Sequence, residues 1–348
     1  MEIDVLLVFF KFYTLSLVET LKRIKNVSTC ITIVVWVDFL EIINVRFPNK
    51  IIRELDELSE RFNLNRSEII RQALIIYLNL VQNMGKYIRP AILEVNPNQV
   101  SYLRRGDVSI LKIPTGHAIV VGSSSSGAIG PKELDQIKVS GKILGKFLAR
   151  VALMDVAATG AFPLLLSITL GVEKNPTGQE ILEGIEKEVR VLGIESNNVL
   201  MVNTEENFNS KQTGAGITAI GFANETNLRL GKTKPNDLVV SLGLPKIGNE
   251  VLPAEARGEI ADLKDMISLA QNRFIHDILP VGAYGIESDA RMMAQSINHQ
   301  LEVDKECKID LSKSAGPATV ILVTLSKENF EELTWLYKRP INIIGKIN

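Results

Sequence analysis

Cysteine and histidine are scarce in this chain of 348 residues: Cys30 and Cys307 are the two cysteines, and His117, His276 and His299 are the three histidines. None falls in a CxxC or Cys/His pattern, which argues against a disulfide framework and against structural zinc. A reducing, cytoplasmic setting is the expectation. An excess of charge of one sign is also missing, since 39 Lys and Arg stand against 40 Asp and Glu, a net charge of −1. No global field then draws the chain to nucleic acid or to an anionic membrane, and any such contact must come from a local patch. Long apolar runs are lacking as well. "VLLVFF" and "ITIVVWV" near the start are separated by Glu19, Lys22, Arg23 and Lys25, and neither approaches the ~20 apolar residues of a membrane-spanning helix. With no basic start and no small-residue cleavage site, a secretory signal is not expected either. Residues 1–41 read as an extension of unknown role, or as a translation start placed too far upstream.

What is present is enough apolar content, 46% of residues, for a sizeable core in two or more folding units. From Ile42 the pattern is regular. Period-two alternation sets Ile43, Val45 and Phe47 on one face and Ile42, Asn44 and Arg46 on the other, as in a half-buried strand that Pro48 ends. A helix from about Asn49 carries Ile51, Ile52, Leu55, Leu58 and Phe62 along one side. In "NLNRSEII", Asn65 and Glu68 read as a capping box opening a second helix with a wide apolar face, Ile69 to Leu78. One strand cannot form a sheet, so its backbone groups call for a second copy of the chain.

"NVRFPNKIIRELDELSERFNLNRSEIIRQAL" resembles the ribbon-helix-helix family of DNA-binding proteins over residues 42–84. The resemblance implies an obligate homodimer whose paired strands enter the major groove of double-stranded DNA. On that reading Asn44 and Arg46 meet base edges, and Asn65, Arg66 and Ser67 hold a phosphate at the start of the second helix. Six basic residues against five acidic ones between Asn44 and Gln72 make the module only weakly basic, so a role in dimerisation alone stays open.

Past a linker at 85–104 with "MGKYIRP" and "VNPNQV", strands and helices alternate. "VSILKIP", "HAIVVG", "PLLLSITLG", "NVLMVN" and "GITAIGFA" read as strands, with helices over 141–160 and 177–192. "DLVVSLG", helices near 258–272 and 287–301, and "TVILVT" form a second series. The fold class is α/β (α+β) with two subdomains, 105–225 and 226–348. "GSSSSGAIG" (122–130) reads as a flexible loop able to wrap phosphates, though without the Gly-Lys-Ser/Thr of a Walker loop. Asp155 interrupts the apolar helix "VALMDVAATGA", and a buried acid is costly unless paired or bound to a cation. Glu205 and Glu206 follow the strand of "VNTEENF", where a divalent cation or merely a solvated turn fits. The glycines of "TGAGITAIG" miss the dinucleotide-binding spacing.

Taken in order, "ARVALMDVAATGAFP", "NTEENF", "TGAGITAIGFA", "KPNDLVVSLGLPKIGNEV", "ILPVGAYGI" and "DLSKSAGPATVILVT" resemble the aminoimidazole ribonucleotide (AIR) synthase-like superfamily. "IGPKELD", "TEENF" and "KSAGPAT" are most similar to its α-ribazole kinase-like branch. The resemblance implies a homodimer binding ATP and Mg2+, with Asp155, Glu205 and the adjacent Glu206 as metal candidates. Ser124, Gly127, Gly130, Lys132, Asn207 and Gly214 are the implied nucleotide contacts. Ser124 stands where the superfamily has an aspartate, and a neutral hydroxyl offers a divalent cation far less than a carboxylate does. Two readings follow: a Mg-ATP-dependent kinase for an α-ribazole-like small molecule, or a transcriptional regulator that senses a nucleotide or cobamide precursor without turnover.

Overall fold

A computed structural model describes residues 47–77, 100–113, 116–195 and 199–348. The chain divides into two units, Met1–Leu93 and Glu94–Asn348. The extension 1–41, the strand residues 42–46 with Asn44 and Arg46, and linker residues 85–99 lie outside the described residues.

In the first unit, helix α1 (Asn49–Phe62) starts behind Pro48 and stops at Asn63, which takes the left-handed conformation (φ 51°) and returns its N–H to Ser59. Helix α2, described over 66–77, is capped as expected, with the Asn65 side-chain oxygen accepting the Glu68 N–H at 2.8 Å. The Glu68 carboxylate instead accepts from Arg71 at 3.2 Å and from Gln72 at 3.4 Å, so among the described bonds only one half of the capping box forms. Leu55 is buried, whereas Ile51, Leu58, Phe62, Leu74 and Ile76 are exposed. Leu55 apart, much of the apolar stripe of α1 and α2 is thus exposed among the described residues.

The second unit holds two main sheets. The first has the order β1-β2-β3-β8-β6-β7, built from Ser101–Arg105, Val108–Ile113, His117–Gly127, Gly214–Asn224, Phe162–Leu170 and Leu200–Thr204. The second, of order β10-β12-β9-β13-β11, uses Ile275–Pro280, Ile321–Leu325, Leu238–Leu242, Ile341–Ile347 and Leu301–Val303. A short parallel pair, β4 (Ile129–Gly130) and β5 (Ile137–Lys138), follows β3. Residues 101–104, read as linker, are the greater part of β1.

Helix α3 (Gly141–Ala158) is apolar nearly all round because it is buried on several sides. Helix α4 (Gln179–Val189) lays Ile181, Ile185 and Val189 against it. The two backbones touch: a Cβ on Gly145 would stand 1.9 Å from the Ile181 carbonyl oxygen, and one on Gly184 would stand 2.1 Å from that of Lys142. Buried Arg150 bonds Glu188 at 2.7 Å and Glu255 at 2.9 Å, tying α3 to α4 and to α5 (Val251–Ala256). Helix α6 (Leu263–Gln271) begins later than expected because Asp262 caps it, accepting from the N–H groups of Lys264 and Asp265. Helix α7 (Ile286–Gln295) ends earlier than the expected 301, and α8 (Phe330–Leu336) precedes the last strand.

One expectation is overturned. The serine run 123–126 is not a flexible loop: β3 continues to Gly127 and pairs residue for residue with β8 down to Gly214. Ser123 to Ser126 sit opposite Thr218, Ile217, Gly216 and Ala215, and the backbone ladder to a partner strand outweighs the weak strand preference of the serines.

Candidate functional site

Asp155 projects from α3 over β3 at Gly122, where a Cβ would lie only 3.1 Å from that of Asp155. The absent side chain makes room for the carboxylate. Two further acids act on it. Asp107 lies in the β1–β2 turn, which buried Arg105 fastens to β10 through bonds of 2.8 and 2.7 Å to the Asp277 carboxylate and 2.6 Å to the Ile278 carbonyl. Asp289 comes from α7, where its Oδ2 accepts the Gly282 N–H at 2.9 Å. Burial first, then the charges of Asp107 and Asp289, push the Asp155 carboxyl up to about 8. Burial also raises Asp289, opposed by the Gly282 N–H, reinforced by Asp107 and opposed by Arg105. The site therefore holds more negative charge than it can keep ionised, and a proton or a cation relieves it.

A second group of residues gathers at the far end of β3. Strand alternation puts Ser124 and Ser126 on the face of Gly122, and the buried Ser126 hydroxyl has no hydrogen-bond partner among the described residues. Gly127 faces Gly214 across the ladder, and the Gly214 carbonyl accepts the Gly171 N–H at 2.8 Å. The turn after β3 is pinned by Asp135, which accepts from the Thr213 N–H at 2.7 Å, the Thr213 hydroxyl at 2.6 Å and the Lys132 N–H at 2.8 Å. Gly130 sits against Thr213, whose hydroxyl would be 2.5 Å from a Cβ there. Lys132 pairs with Glu173; burial would raise that carboxyl, but hydrogen bonds from Lys132 and Thr177 hold it below its ordinary value. Glu205 accepts the Asn207 N–H at 2.7 Å, while Glu206 accepts from the Lys174 N–H and the Thr204 hydroxyl, both at 2.9 Å.

The expected residues thus fall into two groups. Gly127, Gly130, Lys132, Gly214, Glu205, Glu206 and Asn207 are linked through their turns, with Ser124 beside them on β3. Asp155 belongs with Asp107 and Asp289, neither of which the sequence reading singled out. The only sign of Asp107 was an acid in "RGDV", just ahead of the strand-like run "VSILKIP". Within one chain Asp155 and Glu205 do not share a cation site: Glu205 follows β7, three strands from β3, or about 14 Å at the usual inter-strand spacing. Its carboxylate is turned onto its own loop. Among the described residues no three His, Cys, Asp or Glu side chains are grouped closely enough to hold a metal ion by themselves. Asp155 and Asp107 nevertheless fit magnesium in its common mode, one or two carboxylates completed by waters and phosphates.

In the first unit, Asn65 is occupied by its capping bond, Arg66 is ion-paired with Asp56, and Ser67 is exposed. Exposed ion pairs are weak, so a phosphate arriving at the start of α2 can take Arg66 from Asp56.

The two helix-backed sheets define an α/β fold, and that fold is shared with solved structures. Among solved structures it is similar to thiamine-monophosphate kinase from Stenotrophomonas maltophilia K279a, at 16% identity and a TM-score of 0.50, over 76% of this chain and 92% of that one. It is also similar to the HypE–HypF complex, at 14% identity and a TM-score of 0.50, over 76% of this chain and 93% of that one. Residues 105–223 match the family model for AIR synthase related protein, N-terminal domain, and residues 41–81 match that for ribbon-helix-helix protein, copG family. Outside these two matched segments no family model is matched. No curated protein matches it.

Proposed function

We propose that this protein is a Mg-ATP-dependent small-molecule kinase of the α-ribazole kinase type, coupled to a DNA-binding ribbon and working as a cytoplasmic homodimer. The observation that carries the reading is the buried Asp155 carboxyl, raised by its burial and by the charges of Asp107 and Asp289, beside a strand of small residues. Similarity to a kinase of the same fold supports the reaction class. Asp155 and Asp107 would hold magnesium, which when bound neutralises phosphate charge. Ser124, the unpartnered hydroxyl of Ser126, and the backbone around Gly127, Gly130 and Gly214 line the strand on which phosphates would lie, with Lys132 and Asn207 at its end. Glu205 and Glu206, at that same end, are candidates for a second cation or for a site completed by the partner copy.

The outer face of the first sheet supports the homodimer. Cross-strand pairing sets Tyr102, Leu111, Ile119, Phe222 and Phe162 in one row across five strands. Tyr102, Phe162 and Phe222 in it are exposed, as are Leu165 and Met201 on the same face. Apolar patches of this breadth mark interfaces, and the ribbon calls for a second copy as well.

A regulator without turnover is the second reading, and Ser124 favours it because the position lacks the carboxylate that the superfamily carries. ATP consumption with α-ribazole separates the two. A kinase consumes ATP and loses at least about a hundredfold in rate in Asp155→Asn and Asp107→Asn; a sensor binds nucleotide and shows no turnover even unmodified.

A further inference from the structure

A cavity of about 570 Å³ on the second unit, away from the carboxylate group, is lined by Arg229, Lys232, Lys234, Arg273 and His276, and no acidic side chain lines it. Volumes of this order suit small ligands. Its cations differ in how they are held. The Arg229 guanidinium is fixed to backbone carbonyls, donating to Ile275 at 2.8 Å, Ala270 at 2.6 Å and Asn272 at 3.2 Å. His276 Nδ1 lies 2.8 Å from the Asp237 carboxylate and its Nε2 lies 3.0 Å from Lys234 Nζ. The arrangement that satisfies both contacts has Nδ1–H donating to Asp237 and the Nε2 lone pair accepting from Lys234. Asp237 therefore stands behind the imidazole, and the Lys234 ammonium keeps two N–H donors for a ligand. Lys232 and Arg273 are exposed, and among the described residues neither forms an ion pair.

Four cationic side chains around one concavity repel each other, and a carboxylate in the wall would relieve the repulsion. None lines it; Asp237 behind His276 and Asp277, which acts on Arg229, stand outside the lining. We infer that this cavity is an anion site for a phosphate-bearing ligand, with Arg229 and Lys234 as prepositioned donors and the exposed Lys232 and Arg273 as further cations at its rim. A phosphate group supplies the multiple acceptor oxygens and the charge this donor set lacks. The site neither needs nor shares the magnesium site of the proposed kinase, so it stands whether or not that reading holds.

Calorimetric titration of the full chain with inorganic pyrophosphate tests it. Saturable binding is expected, weakened at least tenfold in Lys232→Ala/Arg273→Ala, retained in Lys232→Arg/Arg273→Lys, and unchanged in Asp155→Asn. A second arm measures a short DNA duplex against salt. If only the duplex responds, with its log–log salt slope reduced by roughly 2 in the alanine pair at about 0.9 per phosphate contact, the phosphate source is a nucleic-acid backbone. If neither pyrophosphate nor duplex binding changes in the alanine pair, the assignment is overturned. The exposed position of both side chains keeps the fold intact in these variants, and circular dichroism checks it.

Discussion

At the residue scale the account turns on the protonation of Asp155. Its carboxyl is raised to about 8 from an ordinary 3.8, so the folded protein keeps a proton that the unfolded chain releases. Folding then takes up a proton between about pH 4 and pH 8, and stability falls as pH rises through that window. Asp155→Asn should flatten the fall and stabilise the cation-free protein at pH 8 by up to about 5 kcal/mol, at about 1.4 kcal/mol per pKa unit. Urea midpoints taken across the window check this; a wild-type profile already flat would contradict the burial argument. Asp289 is raised too and leaves a smaller slope in the variant. Ser124→Asp would restore a carboxylate on the Gly122 face of β3 and should tighten Mg-nucleotide binding about tenfold, measured by calorimetry. Arg46→Ala should cost ~1–3 kcal/mol in specific duplex binding, read by a gel-shift titration against a scrambled duplex. Asp155 was legible in the sequence because an acid inside an apolar helix is conspicuous. Asp107 and Asp289 were not, since each sits among ordinary polar neighbours and becomes a partner of Asp155 only when Arg105 fastens the β1–β2 turn to β10.

Among the elements, the long helices and the central strands could be read from periodicity, whereas the short helices α5 and α8 and the strands β1, β10, β11 and β13 could not; the misread strands share a cause. "SSSS" has loop composition, yet β8 supplies a ladder along its whole length. Residues 101–104 look like linker until β2 pairs with them. Strands depend on partners that a local window does not contain; helices carry their own caps and periodicity, as Asn65 and α2 show. The contact of α3 with α4 is a backbone contact permitted by Gly145 and Gly184. Gly145→Ala must push the helices apart, because the new Cβ would overlap the Ile181 carbonyl. A destabilisation of ~1–3 kcal/mol is expected, the range for overpacked interiors, appearing as a lower urea midpoint with unchanged slope.

For the whole molecule, neither the two-sheet topology nor the outer apolar face of the first sheet could be read from the sequence, because both depend on which distant strands pair. That face yields a direct prediction. Phe222→Asp places a charge in the middle of the exposed row and should weaken the dimer, read by light scattering as dissociation at a higher protein concentration than for the wild type, with the second unit still folded by circular dichroism. Within one chain the strand order sets Glu205 well apart from Asp155, and the acid proposed above as its companion is Asp107. The central claim, that carboxylates around Asp155 bind a cation bridging to nucleotide phosphate, is tested most directly by titrating ATP into the purified protein with and without magnesium, for the wild type and for Asp155→Asn. The account predicts that magnesium tightens ATP binding at least tenfold in the wild type and has no effect in the variant; equal wild-type affinity in the two conditions would contradict it.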